Sequence, residues 1–134
     1  MTKIFINPKK LYQSGRAYSR GIKVNIGNSE MLFIAGQIAK NEKGEVVGKG
    51  DIAKQTEYVF EKIVSILSEA GMDLNDLVKI NIYVVDMSEF EKVSTVRDRY
   101  LKESKPASTA IEISRTTNLD CIVEIDATAI KKIN

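Results

Sequence analysis

Three acidic side chains alternate with apolar residues in the last third of the chain and are the first candidates for chemistry. Glu112, Glu124 and Asp126 each stand in a segment with the two-residue alternation of a β-strand. A strand carboxylate can position a water molecule or accept a proton, but a lone glutamate there is more often solvated or paired. The residues alone leave both interpretations open for Glu124, whereas a structural partnership is favoured for Glu112.

The residue types that are missing exclude several classes of enzyme. The 134-residue chain has no histidine, so it contains neither a Ser-His-Asp triad nor a histidine-ligated zinc site. Its single cysteine, Cys121, excludes an internal disulfide and a multi-cysteine metal site. Cys121 alternates with Val123 and Ile125, which predicts a buried core position rather than a nucleophile. We therefore expect neither a metal nor a cofactor.

Charge and hydropathy argue against two classes of partner. Twenty basic and eighteen acidic residues leave a net charge of +2, too balanced for a dedicated nucleic-acid or membrane-surface protein. No apolar run approaches the roughly 18 residues of a membrane span, and the first residues lack the apolar stretch of a signal peptide. We expect a cytoplasmic protein. A basic group near the N-terminus is predicted to be solvated, with contact to an anionic ligand or RNA as the alternative; it comprises Lys9, Lys10, Arg16, Arg20 and Lys23.

Hydrophobic periodicity predicts eight elements in one domain over residues 1–134, in the order β-β-β-α-β-α-β-β. Strands are predicted at 3–6, 21–27, 31–39, 78–85, 108–114 and 121–130. The clearest helix covers 51–70, with Asp51 as its cap and Gly71 at its end. A second helix is predicted to begin with a capping box of Ser88 and Glu91 and to end before Pro106. Two helices suffice to cover one face of one sheet, which is an α+β fold.

The other face of that sheet has a mixed composition. We expect it to carry polar and small side chains beside a few apolar ones, namely Ser108, Ala110, Glu112, Glu124, Asp126 and Thr128 with Phe33 and Ala35. Such a face is either solvated, as in many antiparallel sheets, or packed against copies of the same chain. Periodicity alone does not choose between these two states.

Several segments in register resemble the YjgF/RidA family. The segment PASTAIEI at 106–113, followed by VEIDATA at 123–129, resembles that family's C-terminal signature. The segments AYS at 17–19, AGQI at 35–38 and GDI at 50–52 agree with it in order, as do Gln55 with Thr56, and Val84, Asp86, Met87, Phe90 and Val93. The resemblance spans essentially the whole chain, and several motifs in register are more specific than any one.

This resemblance implies a fold, an assembly and an activity. The fold would be chorismate-mutase-like of the bacillus type, with two helices on one face of a single sheet. Three subunits would join their sheets into a trimeric barrel, with a small-molecule ligand in clefts between subunits. RidA-type members hydrolyse reactive enamine and imine intermediates to a 2-oxo acid and ammonia. That chemistry needs no metal, cofactor or histidine.

The resemblance also assigns roles to single residues. Glu124 matches the glutamate that orders the attacking water. Tyr18 matches a tyrosine that reaches into the cleft from the adjoining subunit, and Gly36 matches a glycine whose backbone approaches the ligand. Ala110 stands where many members have a cysteine with a ligand-facing backbone.

Three positions depart from the family pattern. Ser108 replaces the arginine that grips the substrate carboxylate, Ser94 replaces an asparagine, and Ala35 replaces a serine or threonine. The chain therefore resembles an arginine-lacking branch. A serine hydroxyl supplies roughly 1 kcal/mol against about 2–4 kcal/mol for a bidentate clamp. We expect weak turnover of 2-imino acids unless another cation substitutes; the candidates are Arg20, Arg97 and Arg115.

Three functional hypotheses follow, in this order. The first is a RidA-like hydrolase or deaminase in which Glu124 positions water. The second, favoured by Ser108, is a trimer that binds a small metabolite without turning it over. The third is RNA cleavage or translation inhibition, which the small net charge and the missing histidine argue against.

Overall fold

The computed structural model describes residues 2–133 and contains the eight elements in the predicted order. Within those residues, neither helix is long and apolar enough to cross a membrane. The elements are β1 (Lys3–Ile6), β2 (Gly21–Ile26), β3 (Ser29–Gln37), α1 (Ile52–Glu69), β4 (Leu77–Val84), α2 (Phe90–Leu101), β5 (Ala107–Glu112) and β6 (Val123–Lys132).

The strands form one six-stranded mixed sheet in the order β1-β2-β3-β6-β4-β5. Neighbouring strands are antiparallel except β4 and β5, which are parallel because α2 connects them as a crossover. Both helices pack on the same face, where they share one apolar core with alternate residues of the strands. The predicted α+β architecture is therefore confirmed.

Helix α1 has the ends that its sequence predicts. Asp51 accepts a hydrogen bond from the Lys54 backbone N–H at 3.1 Å, which satisfies one of the free donors of the first turn. Gly71 follows the last turn with a φ of +76°, a conformation that glycine adopts without a steric penalty. The apolar stripe is buried, and Phe60 stacks on Tyr100 of α2 with ring centroids 5.0 Å apart.

The start of α2 differs from the prediction. The backbone N–H and the hydroxyl of Ser88 both donate to the Asp86 carboxylate, at 3.0 and 2.7 Å, so Ser88 does not form a capping box with Glu91. Asp86 instead caps a single 3-10 turn, Met87–Glu89, that leads into the helix. The Asp86 carboxylate accepts both bonds because it is ionised and lies two residues before Ser88, whose backbone N–H needs an acceptor.

The face assignment of β5 is also corrected. Ser108, Ala110 and Glu112 were expected on the face away from the helices, but they lie on the helix side. The parallel register pairs Ser108 with Ile80, which is buried beneath the helices. Ala110 packs against the core, and the Glu112 carboxylate accepts a bond from the Met87 N–H at 2.9 Å. Small residues occupy both faces of β5, so its own alternation does not reveal which face is inward.

A bulge shifts the beginning of β4. Val78 was expected to share the buried face with Ile80, but its side chain is 43% exposed and Leu77 is buried in its place. The pairing of β4 with β6 is interrupted between Leu77 and Lys79, and the irregularity moves the alternation by one residue. From Ile80 onwards the predicted alternation is observed. Cys121 is fully buried, as predicted.

The face away from the helices, here called the open face, has an apolar half and a polar half. Strands β1 to β3 contribute apolar side chains to it, including Phe5 at 62% and Phe33 at 47% exposure. The middle strands, β6 and β4, contribute polar groups opposite one another, namely Asn81, Tyr83, Glu124 and Asp126.

Candidate functional site

Glu124 lies at the beginning of β6, where the sheet ends. Its side chain points to the open face because the flanking Val123 and Ile125 are both buried in the core. Its cross-strand neighbour on β4 is Tyr83. On the other side, β3 bulges between Ile34 and Gln37, which separates β3 from β6 beside Glu124.

Gly36 lies in that bulge and makes room for the carboxylate. A Cβ atom built on Gly36 would overlap Glu124 Oε2 and lie 2.9 Å from its Cδ. Every residue other than glycine would therefore displace the Glu124 side chain or the strand. Gly36 and Glu124, two residues that the resemblance assigned to the site separately, are thus placed together by two strands distant in sequence.

A cavity of about 280 Å³ opens between these strand ends, and we call it the Glu124 cavity. It unites two of the predicted site residues with Glu124 and adds several side chains that the sequence did not single out. Its lining consists of Tyr12, Tyr18, Arg20, Ala35, Gly36, Ile38, Lys40, Lys62, Thr117 and Glu124.

The Glu124 carboxylate is partly desolvated and free of protein donors. Burial, with a smaller contribution from the charge of Asp126, raises the pKa of Glu124. Asp126 is held by the Asn81 amide at 2.7 Å and the Tyr83 hydroxyl at 2.8 Å, so it acts as a structural acceptor. Across residues 2–133, no side chain or backbone N–H hydrogen-bonds to the Glu124 carboxylate. Glu124 is therefore available to a water molecule or a ligand.

Two of the cations in the cavity are almost completely buried. Lys62 is 2% exposed and donates to the Ile38 carbonyl at 2.8 Å. Arg20 is 8% exposed, and its guanidinium donates to the Tyr12 carbonyl at 2.8 Å. Burial, reinforced by the nearby charge of Arg20, lowers the pKa of Lys62 to about 8. A cationic environment therefore surrounds the cavity that contains Glu124.

Two tyrosines complete the wall of the cavity. The Arg20 guanidinium lies 5.8 Å from the centre of the Tyr18 ring, and the Lys40 amine lies 4.6 Å from that of Tyr12. Tyr18 was expected to approach Glu124 from a neighbouring subunit. In the structure Tyr18 and Glu124 of a single chain line the same cavity, and an approach of Tyr18 from a neighbouring subunit stays a prediction.

A second, more open cavity of about 490 Å³ lies on the other side of Glu124. Arg115 lines it together with Tyr83 and Asp126, and its Nε donates to the Thr116 carbonyl at 2.9 Å. Of the three arginines considered as substitutes for the missing clamp, Arg20 and Arg115 thus lie in cavities that Glu124 also lines. Arg97 lies elsewhere.

The remaining predicted residues form no part of these cavities. Ser108 lines a separate cavity of about 430 Å³ beneath α2, together with Arg97. The strand register, Glu124 opposite Tyr83 and Tyr83 beside Ile111, places the Ser108 Cα about 14 Å from that of Glu124. Ser94 lies on α2 and donates to the Glu91 carbonyl at 3.0 Å, and Ala110 packs against the core.

Sequence reasoning missed Lys40 and Lys62. A signal for Lys62 was present, because it stands at helical spacing with Gln55, Val59 and Ile66, all of which are buried. A lysine in a buried stripe is unusual and indicates a special environment. Lys40 carries no comparable signal, since it follows β3 and pairs with Val46 in an isolated β-bridge outside the named strands.

Geometry and sequence together define the class of protein. The profile of the family described as endoribonuclease L-PSP matches residues 9–131. The chain therefore belongs to this family, also known as the YjgF/YER057c/UK114 or Rid and RutC family, as the sequence motifs predicted.

Relatives and solved structures support this assignment along nearly the whole chain. A RutC family protein of Pyrococcus abyssi is 47% identical over 116 residues, which are 86% of this chain and 87% of the relative. The crystal structure of TM0215 from Thermotoga maritima is 32% identical, with a TM-score of 0.86 over 98% of this chain and 99% of that one. The structure of E. coli TdcF with bound serine is 23% identical and shares the fold, with a TM-score of 0.82 over 96% and 99% of the two chains.

Proposed function

We propose that this protein hydrolyses a small enamine or imine metabolite to the corresponding carbonyl compound and ammonia, with Glu124 as the catalytic base. The observation that carries the proposal is the Glu124 carboxylate itself. It is partly buried, has a raised pKa, faces a cavity of about 280 Å³ and accepts no protein hydrogen bond among residues 2–133. A base in this state is suited to hold and deprotonate one water molecule.

The reaction requires little beyond positioning. Water adds to the C2 atom of a 2-imino acid while Glu124 takes one of its protons and passes it to the imine nitrogen, which gives a neutral carbinolamine. Glu124 then takes the hydroxyl proton and returns it to the amino group, the C2–N bond breaks, ammonia leaves and the C2=O bond forms. An imine carbon is already electrophilic, so a fixed water and a fixed substrate supply much of the rate. The bound serine of TdcF supports a ligand of this size and kind in a protein of the same fold.

The proposal includes a homotrimer with ligand clefts at the subunit interfaces. Its support is the apolar half of the open face, where Phe5 and Phe33 are exposed side by side with the aliphatic residues of β2. Within one protomer Ser108 lies on the helix side of the sheet, with its Cα about 14 Å from that of Glu124. The proposal therefore has Ser108 enter the cleft from another copy of the chain, as the family resemblance implies. In that cleft Ser108 replaces a charged clamp by one neutral hydroxyl.

The direct test compares Glu124→Gln with wild type on enzymatically generated 2-iminobutanoate, following release of 2-oxobutanoate against buffer. We expect turnover to fall at least about 100-fold, because the amide is no base. Wild-type turnover should also fall on acidification, with an apparent pKa above the ordinary glutamate value of 4.5. Glu112→Gln is the matched control and should keep its activity.

Folding of the variant is checked by its Tm. A folded-state pKa that is raised means that Glu124 contributes stability below its unfolded pKa and loses it as the pH rises through the folded pKa. The ionised carboxylate therefore opposes folding at pH 7, and Glu124→Gln should melt no lower than wild type. Loss of turnover with an unchanged or raised Tm assigns the effect to chemistry.

The alternative is a trimer that binds a small metabolite without turning it over. Ser108 favours it, since a hydroxyl holds a substrate carboxylate less firmly than an arginine does. In that case a ligand raises the Tm, while wild type releases 2-oxobutanoate no faster than buffer. RNA cleavage, the activity in the family's description, would require binding that weakens steeply with salt.

A further inference from the structure

Three cationic side chains converge on the Glu124 cavity without a carboxylate partner. Arg20, Lys40 and Lys62 all line it, and Glu124 is the one acidic residue in the lining. Within the described part of the chain, none of the three cations lies within 4.0 Å of an Asp or Glu oxygen. The cavity therefore carries an excess of two positive charges, counted as three cations minus one carboxylate.

Such an excess is costly unless something compensates it. Removing a cation from water is unfavourable, and the like charges of Arg20, Lys40 and Lys62 repel one another across a small cavity. Two backbone carbonyls compensate part of this cost, those of Ile38 and Tyr12. These bonds use one of the three donors of Lys62 and one of the five of Arg20, and a second Arg20 donor, Nη1, bonds to Gln37 Oε1 at 3.5 Å. Most of the donors in this cluster remain available to a bound anion.

We propose that Arg20, Lys40 and Lys62 form an anion subsite that binds the carboxylate of a small 2-oxo or 2-imino acid and turns its C2 atom toward Glu124. The choice of ligand rests on the proposed function. The subsite supplies from within one protomer the charge that Ser108 no longer supplies. A carboxylate neutralises part of the excess charge, and the small residues Ala35 and Gly36 leave space for the rest of the ligand.

The test measures binding of 2-oxobutanoate by isothermal titration calorimetry, with 2-butanone as the uncharged analogue. We expect Lys62→Met to weaken 2-oxobutanoate binding about 10- to 100-fold, because a charge-assisted hydrogen bond is lost. Lys40→Met should weaken it by a smaller factor. Lys79→Met, which removes a lysine bonded to Thr109 outside the cavity, is the matched control and should bind like wild type.

A pH series separates a charge effect from a packing effect. Other titratable and charged groups surround Lys62. Arg20, Lys40 and Glu124 line the Glu124 cavity with it, Cys121 is buried nearby, and the titratable residues that line another cavity with it are Lys10, Tyr58 and Glu61. Because the pKa of Lys62 is about 8, wild-type affinity should fall between pH 7 and pH 9. Lys62→Arg keeps the charge, so it should retain affinity without this pH dependence.

Each result supports or overturns the subsite. Equal affinity of wild type and Lys62→Met for 2-oxobutanoate, or equal affinity of wild type for 2-butanone, overturns it. Preferential binding of inorganic phosphate or RNA also overturns it. Lys62→Met removes a buried cation but also leaves the Ile38 carbonyl without its donor. Lys62→Arg keeps both the charge and a donor, so its retained affinity shows that the loss in Lys62→Met is not a loss of folding. Lys62-dependent binding without release of 2-oxobutanoate from 2-iminobutanoate leaves the subsite standing and removes the proposed function. Glu124-dependent turnover with an unchanged KM in Lys62→Met leaves the proposed function standing and removes the subsite.

Discussion

Gly36 and Glu124 depend on each other, because the absence of a side chain at Gly36 leaves the space that the Glu124 carboxylate needs. The carboxylate occupies the space that a Cβ at Gly36 would fill. Across residues 2–133 no protein hydrogen bond occupies this carboxylate, so its oxygens stay available in the cavity. The place that the Glu124 carboxylate occupies therefore depends on the absence of a side chain at Gly36 and not on a hydrogen bond to the carboxylate.

A double-mutant cycle tests this pair without an activity assay. Gly36→Ala should lower the Tm by a modest amount, because the new methyl group collides with the Glu124 side chain, which has to move aside. In a Glu124→Ala background the same substitution should cost much less, since the colliding atoms are gone. Equal Tm losses in both backgrounds would show that the collision does not exist.

The connection from β4 to α2 shows how an element begins. Asp86 accepts two hydrogen bonds from Ser88 and caps the turn that precedes the helix. These bonds hold the pKa of Asp86 below its ordinary value. A lowered folded-state pKa means that the stabilisation is present above the unfolded pKa and is lost as the pH falls through the folded pKa.

Asp86→Ala should therefore lower the Tm by a few degrees at pH 7 and by less in acid. Glu91→Ala removes the partner of the predicted capping box and should leave the Tm unchanged. The measurement is thermal unfolding followed by circular dichroism. A lower Tm for Glu91→Ala, with an unchanged Tm for Asp86→Ala, would support the capping box of Ser88 and Glu91 and contradict the observed turn.

Local sequence patterns predicted the helices and strands, whereas the inward face of β5 and the composition of the site depend on contacts between residues distant in sequence. Alternation and caps sufficed for the element order and for α1, because these features depend on neighbouring residues. The inward face of β5 depends on its register with β4, which its own small residues do not encode. The same limit applies to the site: Glu124, Gly36 and Tyr18 were identified by motif, but Lys62 joins them only through the packing of α1 against the sheet.

At the scale of the whole molecule, we expect the open face to be buried between subunits of the proposed homotrimer. Multi-angle light scattering should give three times the 15.0 kDa mass of one chain. Phe33→Glu places a charge in the apolar half of the open face and should reduce that mass. Lys92→Glu, on the exposed side of α2, is the control and should assemble like wild type. A single-chain mass for wild type would remove the trimer and the role of Ser108 in a shared cleft.

Because Lys62 is buried in α1, the charge of the ligand that the proposed subsite accepts depends on a residue packed among the core side chains. Binding residues on surface loops change readily during evolution, because little else depends on them. Lys62 is one turn from Val59 and Ile66 and adjacent to Ile63, all without solvent exposure. A descendant that exchanged this lysine to accept a neutral compound would have to repack the centre of its main helix. Charge preference should accordingly diverge slowly among proteins that share this arrangement.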